Sequence, residues 1–404
     1  MGPRGRCQTH ELRRPLVEAG VAVAEPARAT WKGTDVDVTT IERQLSCLWT
    51  GLAGKNNQAH AVRTSLYNLL VYTESEDNAR SIADSLSKLS QRQPSRAIIL
   101  IADRYASKST VDVEMAVQCH TVGDRRLGHE QLLVTARGRT ADHVASLSIP
   151  LMMPELPTYL WWPGQPPFGH RKFHRLLHVA SQLIVDSAEF ISPGDGLANL
   201  VRVCTLNQGV NDIHWARLAQ WREIVAQFFD PPIYLPYASN VRSVRIECGG
   251  GGNDLHRVTA GVLLLVGWTA RQLGWDPETT MDNVIDRDVE LAVTQGDRVI
   301  PIQIQFRDHG SGLAGRLCAL EMVSQPQDLP PARFKVERME NSENGRASVH
   351  IHERNEITRV VPIASKDEAE ILGDELEMAG QDTVYGHIVE MASRLAGRQA
   401  WVTT

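Results

Sequence analysis

The sequence is poor in the features that mark specialised chains. Its 6 cysteines (Cys7, Cys47, Cys119, Cys204, Cys248 and Cys318) are scattered over 404 residues, with no close pair among them. That spacing excludes a CxxC zinc or redox motif and the dense disulfide framework of a small secreted domain. Met1 to Gly20 is arginine-rich and has no uninterrupted apolar core, so it does not read as a secretory signal. The longest uncharged apolar run, Val258 to Ala270, falls short of the about 18 residues that a membrane span needs. Neither sign of charge dominates: 42 Lys and Arg stand against 48 Asp and Glu, a net charge of −6. A chain that coats nucleic acid or a lipid surface needs a basic face, so both partners are disfavoured. The expectation is a soluble, cytoplasmic protein with no nucleic acid and no membrane as partner.

Motifs of known chemistry are missing too. Gly249 to Gly252 lie between an expected strand and an expected helix, where a phosphate loop would sit. The dinucleotide fingerprint fails, because its third glycine would fall on Asp254 or Leu255. No Gly-Lys-Ser/Thr follows, so the run is not a P-loop either. A flexible strand-to-helix turn is the preferred reading, with an anion near Asn253, His256 and Arg257 as the open alternative.

His170, His174 and His178 recur every four residues and could share one helical side, as metal ligands do. Arg171, Lys172 and Arg175 stand between them, and that positive field opposes a cation. A solvated basic helix face is preferred, and no metal site is expected. His350 and His352 read as ordinary surface. There is no GxSxG and no cysteine in a recognisable nucleophile setting. Asp186 and Ser187 follow an expected strand, where sites of α/β folds form. A turn cap is the preferred role for Asp186, with ligand binding by the pair as the alternative. No catalytic residue and no cofactor are assigned.

What is present is an ordinary globular composition, 42% apolar and 22% charged, over a length suited to two or three domains. Residues 1–35 show little periodicity and read as a variable N-terminal arm. Thr39 with Glu42 offers a capping box, followed by Ile41, Leu45, Leu48 and Leu52 at helical spacing. Leu66–Tyr72 and Ala97–Ala102 are apolar runs typical of strands buried on both faces. Between them Ser75 caps a helix with Glu76 and Asp77 in its first turn and Lys88 in its last. Val111–His120 and Gln131–Ala136 read as strands, Asp142–Met152 as a helix, Thr158–Trp162 as a strand. A helix over His170–Ser181, a strand over Leu183–Val185 and a helix capped by Asp212 continue the alternation. The expectation for 36–235 is a layered α/β domain.

From Val241 the pattern changes to a strand, an apolar helix over Asp254–Leu273, and six strands from Ile285 to Ile363 that read as an antiparallel meander. A helix led by Ser365 and Glu368, and another over Val384–Leu395, close the chain. Residues 236–404 are therefore expected to be a smaller α+β domain with C-terminal helices.

Several blocks in fixed order resemble one family. Glu155-Leu156-Pro157-Thr158-Tyr159-Leu160-Trp161-Trp162-Pro163-Gly164 resembles the ELP-x-YLWW signature of the OpcA-type glucose-6-phosphate dehydrogenase assembly proteins. Leu183 to Phe190 is similar to the family's block in which a strand ends in VDS. Trp215, Arg217, Trp221, Arg222 and Phe228-Phe229-Asp230 resemble its following helix. Asn68–Val71 and Pro94–Ala97 are similar to its N-terminal blocks. The resemblance covers about residues 40–230 and is looser beyond 240; residues 1–35 do not align.

The resemblance implies a non-catalytic protein that binds glucose-6-phosphate dehydrogenase, promotes its active oligomer and activates it. Relatives use cysteines for thioredoxin-linked redox control at varying positions, and the scattered cysteines here leave that control unresolved. The residues weighed for a partner or ligand surface are Trp161, Trp162, Arg171, Arg175, Asp186 and Ser187. Both tryptophans as core is the preferred reading. The alternative places one of them on the dehydrogenase-binding surface with Arg171 or Arg175. An enzyme with a sugar phosphate or nucleotide at Asp186 and Ser187 is the competing function.

Overall fold

The computed structural model of the chain describes residues 27–53, 65–90, 92–122, 125–206, 209–250, 255–280, 288–307, 313, 315–339, 342–364, 366–377 and 383–397. They form two compact units. The first runs to Ile184 and includes residues 372–379; the second holds 185–371 and the chain from Gly380 onward. The units part at Ile184/Val185, some fifty residues before the boundary that composition alone suggests.

The first described element of the first unit, strand β1 (Ala27–Gly33), lies inside the expected arm. Helix α1 (Val38–Ala53) follows, and its cap is Asp37, not Thr39: Thr40 N donates to Asp37 Oδ1 over 2.6 Å. Then come β2 (Asn68–Thr73), α2 (Glu76–Leu89), β3 (Arg96–Asp103), β4 (Val111–Val122) and β5 (Arg125–Arg137). The expected helix over Asp142–Met152 is broken into two 3-10 turns around the five-residue α3 (Val144–Ser148). Pro150 in the second turn cannot donate to a helical ladder, which accounts for the break. β6 (Thr158–Trp162), α4 (Arg171–Val179) and β7 (Gln182–Val185) complete the alternation.

In the sheet these strands stand in the order β1-β4-β5-β3-β2-β6-β7. Parallel pairs β5/β3, β3/β2 and β2/β6 form its middle, and the antiparallel β4 and β1 form one side. Every residue of β2 and β6 is buried, as the unbroken apolar runs require when both faces are covered. On the paired strands β3 and β5, Arg96 and Glu130 form a buried pair with Nε–Oε2 of 2.5 Å, and Trp49 Nε1 donates to Glu130 Oε1.

The second unit opens with α5 (Pro193–Thr205) and β8 (Gly209–Asp212), neither of which the sequence pattern anticipates. α6 (Ile213–Arg217), α7 (Ala219–Gln227) and α8 (Leu235–Ala238) follow. The strands are β9 (Val241–Gly249), β10 (Asp276–Pro277), β11 (Asp288–Gln295), β12 (Arg298–Arg307), β13 (Leu317–Ser324), β14 (Ala332–Arg338), β15 (Asn344–Ile351) and β16 (Ile357–Pro362). Their order is β10-β11-β12-β9-β13-β14-β15-β16. The meander is thus antiparallel with one difference from expectation: β9 inserts between β12 and β13 and runs parallel to β12.

Helix α9 (Leu255–Leu273) links β9 to β10. At Gly267 a Cβ would come within 3.1 Å of Ala392 N on α11 (Thr383–Leu395), so glycine permits that close crossing. Before it lies α10 (Glu368–Glu377), where Asp367 and Glu370 cap each other's backbone N–H, at 2.7 and 3.3 Å. Ser365, expected in that role, lies outside the described residues, as do Gly251, Gly252, Asn253 and residues 1–26.

Candidate functional site

In a doubly wound sheet, ligands enter at the carboxyl ends of the strands where the winding reverses. In the first unit that point lies between β2 and β6, because β2 pairs with β3 on one side and β6 on the other. The chain fills it with its own side chains. Trp162 stacks on Tyr72 with ring centroids 4.4 Å apart and planes inclined by 19°, and Phe173 of α4 meets Trp162 edge-on at 5.4 Å. Lys172 crosses from α4, its Nζ donating to Glu74 Oε1 at 2.6 Å and lying 2.5 Å from Tyr72 Oη. Lys172 also holds the Glu74 carboxyl below its ordinary value, chiefly through that hydrogen bond. Burial raises the Tyr72 hydroxyl.

The helix start beside this point is equally committed. Ser75 accepts from Asn78 N at 3.2 Å, and Glu76 and Asp77 occupy the first turn of α2. Carboxylates stabilise a helix N-terminus but repel the phosphate that a dinucleotide fold would seat there.

Trp161 and Trp162 are both buried, at 1% and 5% exposure. They point to opposite faces of β6, yet both faces are covered, so neither ring reaches solvent. Arg171 and Arg175 are exposed on α4. With His174, His178 and Ile149 they line a shallow depression of about 500 Å³. His170 does not extend the helical row. It is the N-cap of α4, its Nδ1 accepting from Lys172 N at 3.2 Å. Among the described residues no three His, Cys, Asp or Glu side chains come together as metal ligands. Nor is any described helix long and apolar enough to cross a membrane.

Asp186 and Ser187 belong to the second unit, and both are buried. Asp186 caps a 3-10 turn over Ser187–Glu189, accepting from Ala188 N at 3.1 Å, and pairs with Arg217 at 2.7 Å. The partner that matters here is Asp212. Asp212 Oδ1 accepts from Ser187 N and from His214 N, each at 3.0 Å, and its Oδ2 accepts from Tyr385 Oη at 2.8 Å. Burial pushes the Asp212 carboxyl above the ordinary carboxylate range despite those donors. Asp212 was legible as a helix cap; its link to Tyr385, 173 residues on, had no local signal.

Beyond Arg217 the second unit holds a cavity of about 400 Å³ walled by Trp221, Arg316, Arg338 and Lys366. The fold also sets Cys248 beside Cys318 across β9 and β13, where Cys248 pairs with Leu317 and a bulge follows. Burial raises both thiols, that of Cys318 to about 11.

Two family profiles match in succession: the glucose-6-phosphate dehydrogenase subunit N-terminal domain over residues 86–202, and the C-terminal domain of the same subunit over 208–389. A Synechocystis sp. protein named "Putative OxPP cycle protein OpcA" is 32% identical over 146 residues, covering 36% of this chain and 30% of that protein. A protein of the same name from Synechococcus elongatus is 29% identical over 202 residues, 48% of this chain and 44% of that one. The chain's matches span less than half of each relative. Among solved structures, aldose-aldose oxidoreductase from Caulobacter crescentus aligns with a TM-score of 0.42 at 10% identity, over 83% of this chain and 98% of that one. With its N-terminal and C-terminal profiles matched in order across both units, the chain belongs to the OpcA-type glucose-6-phosphate dehydrogenase subunit family.

Proposed function

We propose that this protein is a non-catalytic assembly factor and activator that binds glucose-6-phosphate dehydrogenase and promotes its active oligomer in the oxidative pentose phosphate pathway. The observation that carries the reading is the ordered pair of family matches over 86–202 and 208–389. The first unit supports it: its winding-reversal point is filled by Trp162, Tyr72 and Lys172, and the neighbouring helix start is acidic. Those side chains stand where a doubly wound sheet would seat a nucleotide, which supports a role other than nucleotide chemistry. Asp186, the alternative ligand residue, is committed to its cap and to Arg217.

Activation by a non-catalytic partner is thermodynamic linkage: the chain must bind the active oligomer of the dehydrogenase more tightly than its other forms. The proposed contact is the exposed face of α4, where Arg171 and Arg175 stand beside the half-exposed Ile149. Arginines around an apolar centre suit an acidic patch on the dehydrogenase. The test combines kinetics with sedimentation. Added at micromolar concentration, the chain should raise dehydrogenase activity at low glucose 6-phosphate and shift the enzyme to a larger species. No change in either measurement would refute the reading.

A further inference from the structure

We propose that the cavity of the second unit is a binding site for a small organic phosphate, seated between Arg316 and Arg338. The inference concerns this chain by itself and does not depend on the dehydrogenase reading.

The described lining of the cavity is rich in positive charge. Arg217, Arg316, Arg338 and Lys366 line the cavity, and among the described residues Glu223 is the single acidic one that lines it. Arg217 is answered by Asp186 at 2.7 Å. Glu223 is turned to its own helix, accepting from Gln227 Nε2 at 3.0 Å. Arg338 gives Nε to Leu317 O and Nη1 to Ile363 O, each at 2.9 Å. Both acceptors are neutral carbonyls, so they orient the guanidinium without balancing its charge. Neither Arg338 nor Arg316 has a carboxylate partner among the described residues.

Strand pairing brings the two arginines to neighbouring positions on the sheet. Arg316 immediately precedes β13 and Arg338 ends β14; the antiparallel pairing Ala319–Glu337 brings those two ends together. Two guanidiniums at the neighbouring ends of adjacent strands repel. Arg338 is held below the ordinary arginine value, by burial first and by Arg316 second. A bound dianion would reverse that repulsion, whereas a monocarboxylate would answer only one of the two charges. Planar guanidiniums match phosphate oxygens in bidentate pairs.

The remaining wall sets the rest of the ligand. Trp221 lies with its ring centroid 5.6 Å from Arg338 Cζ, and the volume of about 400 Å³ holds a small metabolite rather than a lone ion. The class that fits is a phosphomonoester with a compact organic portion against the indole.

The test uses the full chain, without the dehydrogenase. Melting curves and titration calorimetry are run with glucose 6-phosphate, glycerol 3-phosphate and AMP, and with glucose and inorganic phosphate as controls, at constant ionic strength. At about 10 mM at least one ester should raise the melting temperature by several degrees, and glucose should not. Arg316→Gln should weaken that binding about tenfold or more while leaving the unliganded melting curve unchanged or higher. Three results would each overturn the proposal: no ester shifts the melting curve, Arg316→Gln binds as well as the wild type, or inorganic phosphate binds as tightly as every ester.

Discussion

Tyr385 on the last helix donates its hydroxyl to Asp212 Oδ2 over 2.8 Å, fastening α11 to the end of β8 inside the second unit. Oδ1 of the same carboxylate takes the backbone N–H of Ser187 and of His214. Asp212 is 1% exposed, so its ionised form depends on these donors for the solvation that water would give. Its raised folded value means that the native state binds the proton more tightly than the unfolded chain does. Stability from this group is therefore fully present below the ordinary carboxylate value and declines as pH rises through the raised one. Asp212→Asn keeps the acceptor for both N–H groups and removes the titration. Urea melts from pH 4 upward should show a flatter stability profile in the variant. Tyr385→Phe, which strips one donor from the carboxylate, should cost about 1–3 kcal/mol near neutral pH. Equal pH profiles for wild type and Asp212→Asn would exclude this account.

A second prediction concerns Arg96 and Glu130, a pair at 4% and 0% side-chain exposure. Removing Arg96 takes away the cation that faces the buried Glu130 carboxylate. Arg96→Met should destabilise the chain by about 3–5 kcal/mol, whereas replacing both by apolar residues of similar volume should recover much of the loss. A double-mutant cycle by chemical denaturation measures the coupling. Additive effects would mean that Trp49 Nε1, which also donates to Glu130, already satisfies the carboxylate.

The central strands were readable because burial on both faces leaves an unbroken apolar run: β2, β3 and β6 lie within a residue or two of their expected limits. Capping chemistry was readable for the same reason that it works, being local: Ser75 and Asp212 both cap as expected. Long-range pairing was not. The insertion of β9 between β12 and β13 depends on contacts many residues apart, and β1 and β8 have no apolar pattern distinct from a loop. The opposition of Arg316 and Arg338 needs the β13/β14 register, which no single segment carries. The Trp161-Trp162 pair was legible as a strand, whereas the stack of Trp162 on Tyr72 needed the β2/β6 pairing.

The thiols give a third prediction. Burial raises Cys204 and Cys318 to about 11 and lifts Cys248 well above its ordinary value. At pH 8 only about one thiol in a thousand with such a value is the reactive thiolate. Iodoacetamide should therefore label these three slowly in the native chain and quickly in urea, as peptide mass mapping would show. Fast native labelling at Cys318 would mean that the start of β13 opens far more readily than its packing implies.

The last prediction separates the aromatic core from the proposed docking face. Trp161 and Trp162 are buried, so Trp161→Ala or Trp162→Ala should cost about 3–5 kcal/mol of stability. Trp162→Phe should lose less, because an aromatic ring remains to stack on Tyr72. Arg171 and Arg175 carry exposed side chains with no ion pair among the described residues. Arg171→Glu and Arg175→Glu should each leave the melting curve within about 0.5 kcal/mol of wild type. If α4 is the surface that meets an acidic patch of the dehydrogenase, each charge reversal should slow association and weaken activation, more so at low salt. The double reversal should abolish the shift in the dehydrogenase's sedimentation. Full activation by the doubly reversed chain would remove α4 from the interface while leaving the family assignment untouched, and the contact would then have to lie elsewhere on the two units.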